Sequence, residues 1–153
     1  YAYNNRLSGV RKIGSVAMTL IKLNDSRLGE TEVVKVPEGI NTVYSSRLRS
    51  LVDAVYDWSR FNALPQAYDW IRAELARDPE AAKELVRIAL RYGNVSTLRR
   101  LGKLLETQGA ADALLRRLQR KLAPSRALIP WVPTLPKRGT VDRRWGVVIN
   151  DEQ

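Results

Sequence analysis

The apolar positions change period along the chain, from about two in the first third to between three and four afterwards. Ser15 to Leu23 alternates loosely through Val16, Met18, Leu20 and Lys22, and its β-branched content favours a strand. Glu32 to Val36 alternates again, and Pro37 closes it because proline offers no donor to a sheet ladder. After a turn at Gly39, Ile40 to Tyr44 reads as a third short strand. Asn4-Asn5 and Ser8-Gly9 are turn signals, so Tyr1 to Lys12 reads as a loop or an entering strand. The first 44 residues thus predict a small antiparallel sheet.

Helical spacing begins at Ser45-Ser46, either of which can cap a helix carrying Leu48, Leu51, Val52, Val55 and Tyr56 and ending near Trp58. A second helix starts around Phe61 to Pro65, with Ala67, Trp70, Ile71 and Leu75 as its inner stripe and Tyr68 at its flank. Asp78-Pro79 reads as a cap and first turn for a third, buried through Leu85, Val86, Ala89 and Leu90. Tyr92-Gly93-Asn94 stops it and recaps the chain. Two arginine-rich helices follow. Leu98, Leu101, Leu104 and Leu105 form the dry side of one, with Arg99, Arg100 and Lys103 on its wet side, and Gly109 ends it. Leu114, Leu115, Leu118 and Leu122 serve the other, with Arg116, Arg117, Arg120 and Lys121 outward.

Pro124, Pro130, Pro133 and Pro136 then exclude helix and central strand from 123–138. This segment is expected to run extended over the body with Trp131 as its anchor, followed by a basic turn at Lys137-Arg138-Gly139. A last strand over Trp145 to Ile149 could return to the first sheet. The expected fold is α+β: one domain with a sheet over 1–44, about five helices over 46–122, and a Pro-rich arm with a final strand over 123–150. No internal repeat is visible.

The 153 residues suffice for one sizeable core, and 44% hydrophobic with 27% charged residues is ordinary globular composition. Cysteine and histidine are both absent, which removes disulfides, thiolate metal sites, the usual zinc ligand and the usual general base. Val16 to Leu23, the longest apolar run, is interrupted by Thr19 and Lys22, and no signal peptide is recognisable. A soluble, cytoplasmic protein with no membrane contact is the expectation. The first residue is Tyr1 and not Met, which suits a fragment or a processed form.

The formal net charge is +10, and Val95 to Arg144 carries twelve Lys or Arg against three acids. A concentrated excess of this kind suits an anionic partner, either nucleic acid or an acidic protein surface. The competing reading is a solvated face that keeps the protein soluble. The candidate contacts are Arg99, Arg100, Lys103, Arg116, Arg117, Arg120, Lys121, Lys137, Arg138, Arg143 and Arg144. Guanidinium groups suit phosphates, and no base-reading Asn or Gln pattern accompanies them, so backbone contacts are expected.

Catalytic signatures are sparse. Ser-His-Asp and Cys-His arrangements are impossible here, and no phosphate-cradling or dinucleotide glycine fingerprint occurs. Asp53 and Asp57 stand four apart on one helix face and could hold a metal, or could simply meet Arg49 and Arg60. The second reading is favoured because no third ligand accompanies them. The dense aromatic set Trp58, Phe61, Tyr68 and Trp70 reads as core, since a base-stacking platform would need exposed rings. A binding module is expected, with neither catalytic residues nor cofactor; a carboxylate-dependent nuclease is the remaining enzymatic reading.

Four motifs in order add a family likeness: Ser45-Ser46-x-x-Arg49-x-Leu51-Val52-Asp53, Arg91-Tyr92-Gly93-Asn94, Arg99-Arg100-Leu101-Gly102-x-Leu104-Leu105-Glu106, and Arg144-Trp145-Gly146-Val147-Val148-Ile149-Asn150. From about Arg6 to Asn150 the chain resembles the C-terminal domain of the abortive-infection AbiE antitoxins. The resemblance implies a type IV toxin-antitoxin component of phage defence. Such a domain counters a nucleotidyltransferase toxin, and its basic surfaces help a preceding winged helix-turn-helix hold the operon's own DNA. No helix-turn-helix precedes the sheet in this sequence. A nucleic-acid-binding accessory domain without a toxin is the alternative.

Overall fold

The computed structural model describes residues 1–35, 39 and 41–151. The chain divides into two units, Tyr1–Ser45 and Ser46–Gln153.

In the first unit, β1 (Ala2–Asn4), β2 (Gly9–Ile13) and β3 (Val16–Lys22) form a sheet with β3 in the centre. Asn4 makes the reversal after β1, as the turn signal predicts. Its Oδ1 accepts from the amides of Arg6 at 2.8 Å and Leu7 at 2.6 Å. A tight turn at Gly14 then folds β3 back on β2, so β2–β3 is antiparallel and β1–β3 is parallel. A separate antiparallel hairpin pairs β4 (Thr31–Lys35) with β5 (Asn41–Ser45). The single antiparallel sheet expected from the sequence is therefore two small sheets, one of them mixed. The predicted strand end at Val36 and Pro37 and the start at Ile40 lie outside the described residues.

Neither sheet encloses a core. Every residue of β2 and β4 is exposed, and Ile21 is the buried apolar residue of β3. Period-two alternation needs a second layer to bury one face, and strands this few have little surface to offer each other.

The second unit holds α1 (Arg47–Tyr56), α2 (Trp58–Phe61), α3 (Gln66–Arg77), α4 (Ala81–Tyr92), α5 (Val95–Thr107) and α6 (Asp112–Gln119). Ser46 caps α1 by accepting the Arg49 amide at 3.2 Å, and Asn94 caps α5 by accepting that of Thr97 at 2.9 Å. At the predicted Asp78-Pro79 start the carboxylate of Asp78 organises a turn by accepting the Glu80 amide, and α4 begins two residues beyond Pro79. The leucines behave as their spacing requires: Leu98, Leu101, Leu104, Leu105, Leu115 and Leu118 are buried together with Val52, Val55, Ile71, Leu85 and Val86. Among the described residues no helix is long and apolar enough to cross a membrane.

Two aromatic assignments change. Trp70 is 45% exposed instead of lining the inner stripe, whereas Tyr68 is 1% exposed. The Tyr68 ring stacks on Trp131 with centroids 3.8 Å apart, and its hydroxyl donates to the Trp131 carbonyl at 2.7 Å. Trp131 is the arm's anchor as expected, and its partner comes from α3.

The C-terminal sheet consists of β6 (Ile129–Pro130), β8 (Val147–Ile149) and β7 (Thr140–Asp142), in that order. β8 thus pairs within the second unit and does not join β1 to β3. The proline-bearing β6 is an edge strand, where a missing N–H does no harm.

Candidate functional site

The paired carboxylates resolve as ion pairs. Arg49 Nε lies 2.8 Å from Asp53, both groups are buried, and Arg60 lies 3.6 Å from Asp57. The Arg49 guanidinium also stands over the Tyr92 ring at 3.8 Å, so the pair ties α1 to the end of α4. Among the described residues no group of three or more carboxylates forms a metal-ligand set.

The eleven predicted cations divide sharply. Arg99 and Arg100 do not face solvent; they are 5% and 4% exposed. Arg99 Nη1 donates to the Ala127 carbonyl at 2.7 Å, and Arg100 Nε and Nη2 both donate to the Pro130 carbonyl at 3.2 and 3.0 Å. The reason lies in the arm. Its prolines cut the arm's strand to two residues, and a guanidinium fork brings several donors to the Ala127 and Pro130 carbonyls. Burial pulls the pKa of Arg100 below the ordinary arginine value, while burial pushes that of the Tyr68 hydroxyl well above its usual one. α5 is covered on the side that its period marks as wet.

Four more cations are also engaged. Lys103 pairs with Asp142 at 3.0 Å, Arg116 pairs with Asp112, and the Lys137 ammonium donates to the Leu128 carbonyl. Arg144 reaches Glu106 at 2.6 Å, Asp112 at 2.9 Å and Gln119 at 3.1 Å. The hydrogen bond between Arg144 and Asp112 raises the arginine and lowers the carboxylic acid, so both remain charged. The side chains of Arg117, Arg120, Lys121, Arg138 and Arg143 have no hydrogen-bond or ion-pair partner among the described residues. The basic face predicted as eleven residues is thus five uncommitted cations, four engaged in ion pairs or hydrogen bonds, and two buried under the arm.

Part of this set converges around Gln119. A cleft of about 250 Å³ is bordered by Arg99, Arg143, Arg144, Trp145, Gly146 and Gln119. A neighbouring hollow is bordered by Arg116, Arg120 and the same Gln119. A larger cavity of about 570 Å³ lies at the β7 edge, where Lys103, Asp142, Arg72 and Trp131 meet. The Lys103–Asp142 pair fills its charged wall with matched signs.

The residues that sequence reasoning missed hold the arm in place. Asn150 is 8% exposed; its Oδ1 accepts the Val132 amide at 2.8 Å, and its Nδ2 donates to the carbonyls of Val132 and Pro136 at 2.9 and 3.0 Å. Glu106 takes the Trp145 indole N–H at 2.9 Å as well as Arg144. Both lie in the motifs quoted above, but neither shows a periodic signal. Comparison with protein-family models, with curated proteins and with solved structures finds no match to this chain.

Proposed function

We propose that this chain is the effector domain of an AbiE-type antitoxin, acting by macromolecular contact and not by catalysis. It counters a nucleotidyltransferase toxin and assists repression of its own operon. One observation carries this reading: the motifs behind the resemblance, though far apart in sequence, touch one another. Arg49 of the first stands over Tyr92 of the second, and Glu106 of the third holds Arg144 and Trp145 of the fourth. Co-expression with the toxin encoded beside it tests the proposal. Growth restored by the chain supports it, and equal toxicity with and without the chain overturns it.

The second reading, a nucleic-acid-binding accessory domain, draws on the five uncommitted cations, of which Arg120 and Arg143 lie beside Gln119. If five of them neutralise five phosphates, affinity for duplex DNA should fall roughly 500-fold between about 50 and about 200 mM salt. A mobility-shift titration measures this. All eleven cations acting together would give a far steeper loss.

A further inference from the structure

Arg99 is the buried cation that the fold leaves half satisfied. It is 5% exposed, yet the bond to the Ala127 carbonyl is the one hydrogen bond its guanidinium makes among the described residues, and no carboxylate among them pairs with it. The other buried ions are treated differently. Arg49 has Asp53, Glu74 has Arg47 and Arg77, and Arg100 spends two donors on Pro130. Removing a guanidinium from water without a counter-charge is costly, so such a group marks a place where an anion improves the energy.

The rest of the Arg99 fork borders the cleft of about 250 Å³. The guanidinium carbon lies against Gly146, where a side-chain carbon would stand 3.4 Å away in van der Waals contact. Arg143 stands on the same wall, exposed and without a partner. Ser125 also borders it; its Oγ accepts the Ala127 amide at 3.1 Å, which leaves its hydroxyl proton to donate. Arg144 contributes little charge, because Glu106 and Asp112 already match it. Among the described residues no Asp or Glu lines the cleft. The space suits a small ion and is below the usual size of an organic-ligand pocket.

We propose that this cleft binds a single phosphate group, with Arg99 and Arg143 as its cationic clamp and Ser125 as a neutral donor. Phosphate is the oxyanion whose several acceptor oxygens can use two guanidinium groups and a hydroxyl at once. The proposal does not depend on the antitoxin reading, and the co-expression experiment cannot overturn it.

Side-chain NMR of the isotope-labelled full chain tests it through the Arg99 and Arg143 Nε–Hε signals. Inorganic phosphate is titrated at constant ionic strength, and a thymidine dinucleotide joined by one phosphodiester is titrated separately. Saturable shifts of both signals are expected, and Arg143→Gln should weaken binding about tenfold. The Arg143 side chain is exposed and makes no hydrogen bond or ion pair among the described residues, so this variant should keep the fold. Arg99→Lys, which retains the charge but loses the fork, should weaken binding further. Saturation by both probes assigns the cleft to a nucleic-acid backbone phosphate. Saturation by inorganic phosphate alone assigns it to a free or terminal phosphate. Shifts that grow linearly with either probe, or that Arg143→Gln leaves unchanged, overturn the proposal.

Discussion

Trp145 lies directly on Gly102: a Cβ at position 102 would stand 2.2 Å from the ring carbon Cζ3. The ring is 1% exposed, and its indole N–H is fixed by Glu106 one helical turn further along α5. A glycine inside a helix costs about 1 kcal/mol relative to alanine. Here it lets the C-terminal turn pack against the helix backbone.

Gly102→Ala should therefore destabilise the protein by about 1–3 kcal/mol despite alanine's better helix propensity. The midpoint of urea unfolding followed on the helical signal reads this. A midpoint that rises would mean that Trp145 does not sit on Gly102.

Asp53→Ala strands the Arg49 guanidinium in the core and should cost about 3–5 kcal/mol. Replacing both partners with apolar residues, Arg49→Met with Asp53→Leu, should recover much of that loss, because no buried charge is left. Unfolding midpoints of the unaltered protein, Arg49→Met, Asp53→Leu and the double variant close a double-mutant cycle that measures the coupling. A metal-dependent activity that vanishes in Asp53→Ala at unchanged stability would restore the carboxylate-site reading.

Glu74 provides a pH signature. Its carboxylate is 3% exposed, and burial alone would raise its pKa. Hydrogen bonds from Arg77 and Arg47 outweigh this and hold it below the ordinary value of 4.5. A depressed carboxyl adds stability that is fully present above the ordinary value and lost as pH falls through the folded-state value. Asp112, lowered through its bond to Arg144, acts in the same direction at an exposed site. Unfolding midpoints from about pH 6 down to about pH 3 should fall, and Glu74→Gln should flatten that fall. An unchanged acid limb in the variant would exclude Glu74 as its source.

The first unit exposes Val10, Ile13, Val16, Val33 and Val43, each at least 60% accessible, and buries little besides Ile21. Two- and three-stranded sheets with so little enclosed apolar surface are marginal on their own. Hydrogen exchange should therefore be orders of magnitude faster for amides of β2 to β5 than for those of α4 and α5. Equal protection in both units would show that the first is held by burial comparable to the helical core.

Sequence by itself determined the helices, because each leucine stripe and each cap acts within a few residues. Ser46 and Asn94 had only to precede a periodic run, and Leu98 to Leu118 had only to repeat at the right spacing. The arm's extended course follows from the prolines in the same local way, whereas the ring that holds Trp131 comes from Tyr68, 63 residues earlier. Tertiary structure alone decided what covers the second side of α5. Period distinguishes a dry face from a wet one, but it cannot show that an arm about thirty residues away will lay the Ala127 and Pro130 carbonyls over Arg99 and Arg100. The same limit hid the clamp of Asn150, the Trp145–Gly102 contact and the fate of the other cations. Charge is additive along a sequence, whereas whether a given cation is spent on the fold or left for a partner depends on which acids and carbonyls the folded chain brings beside it.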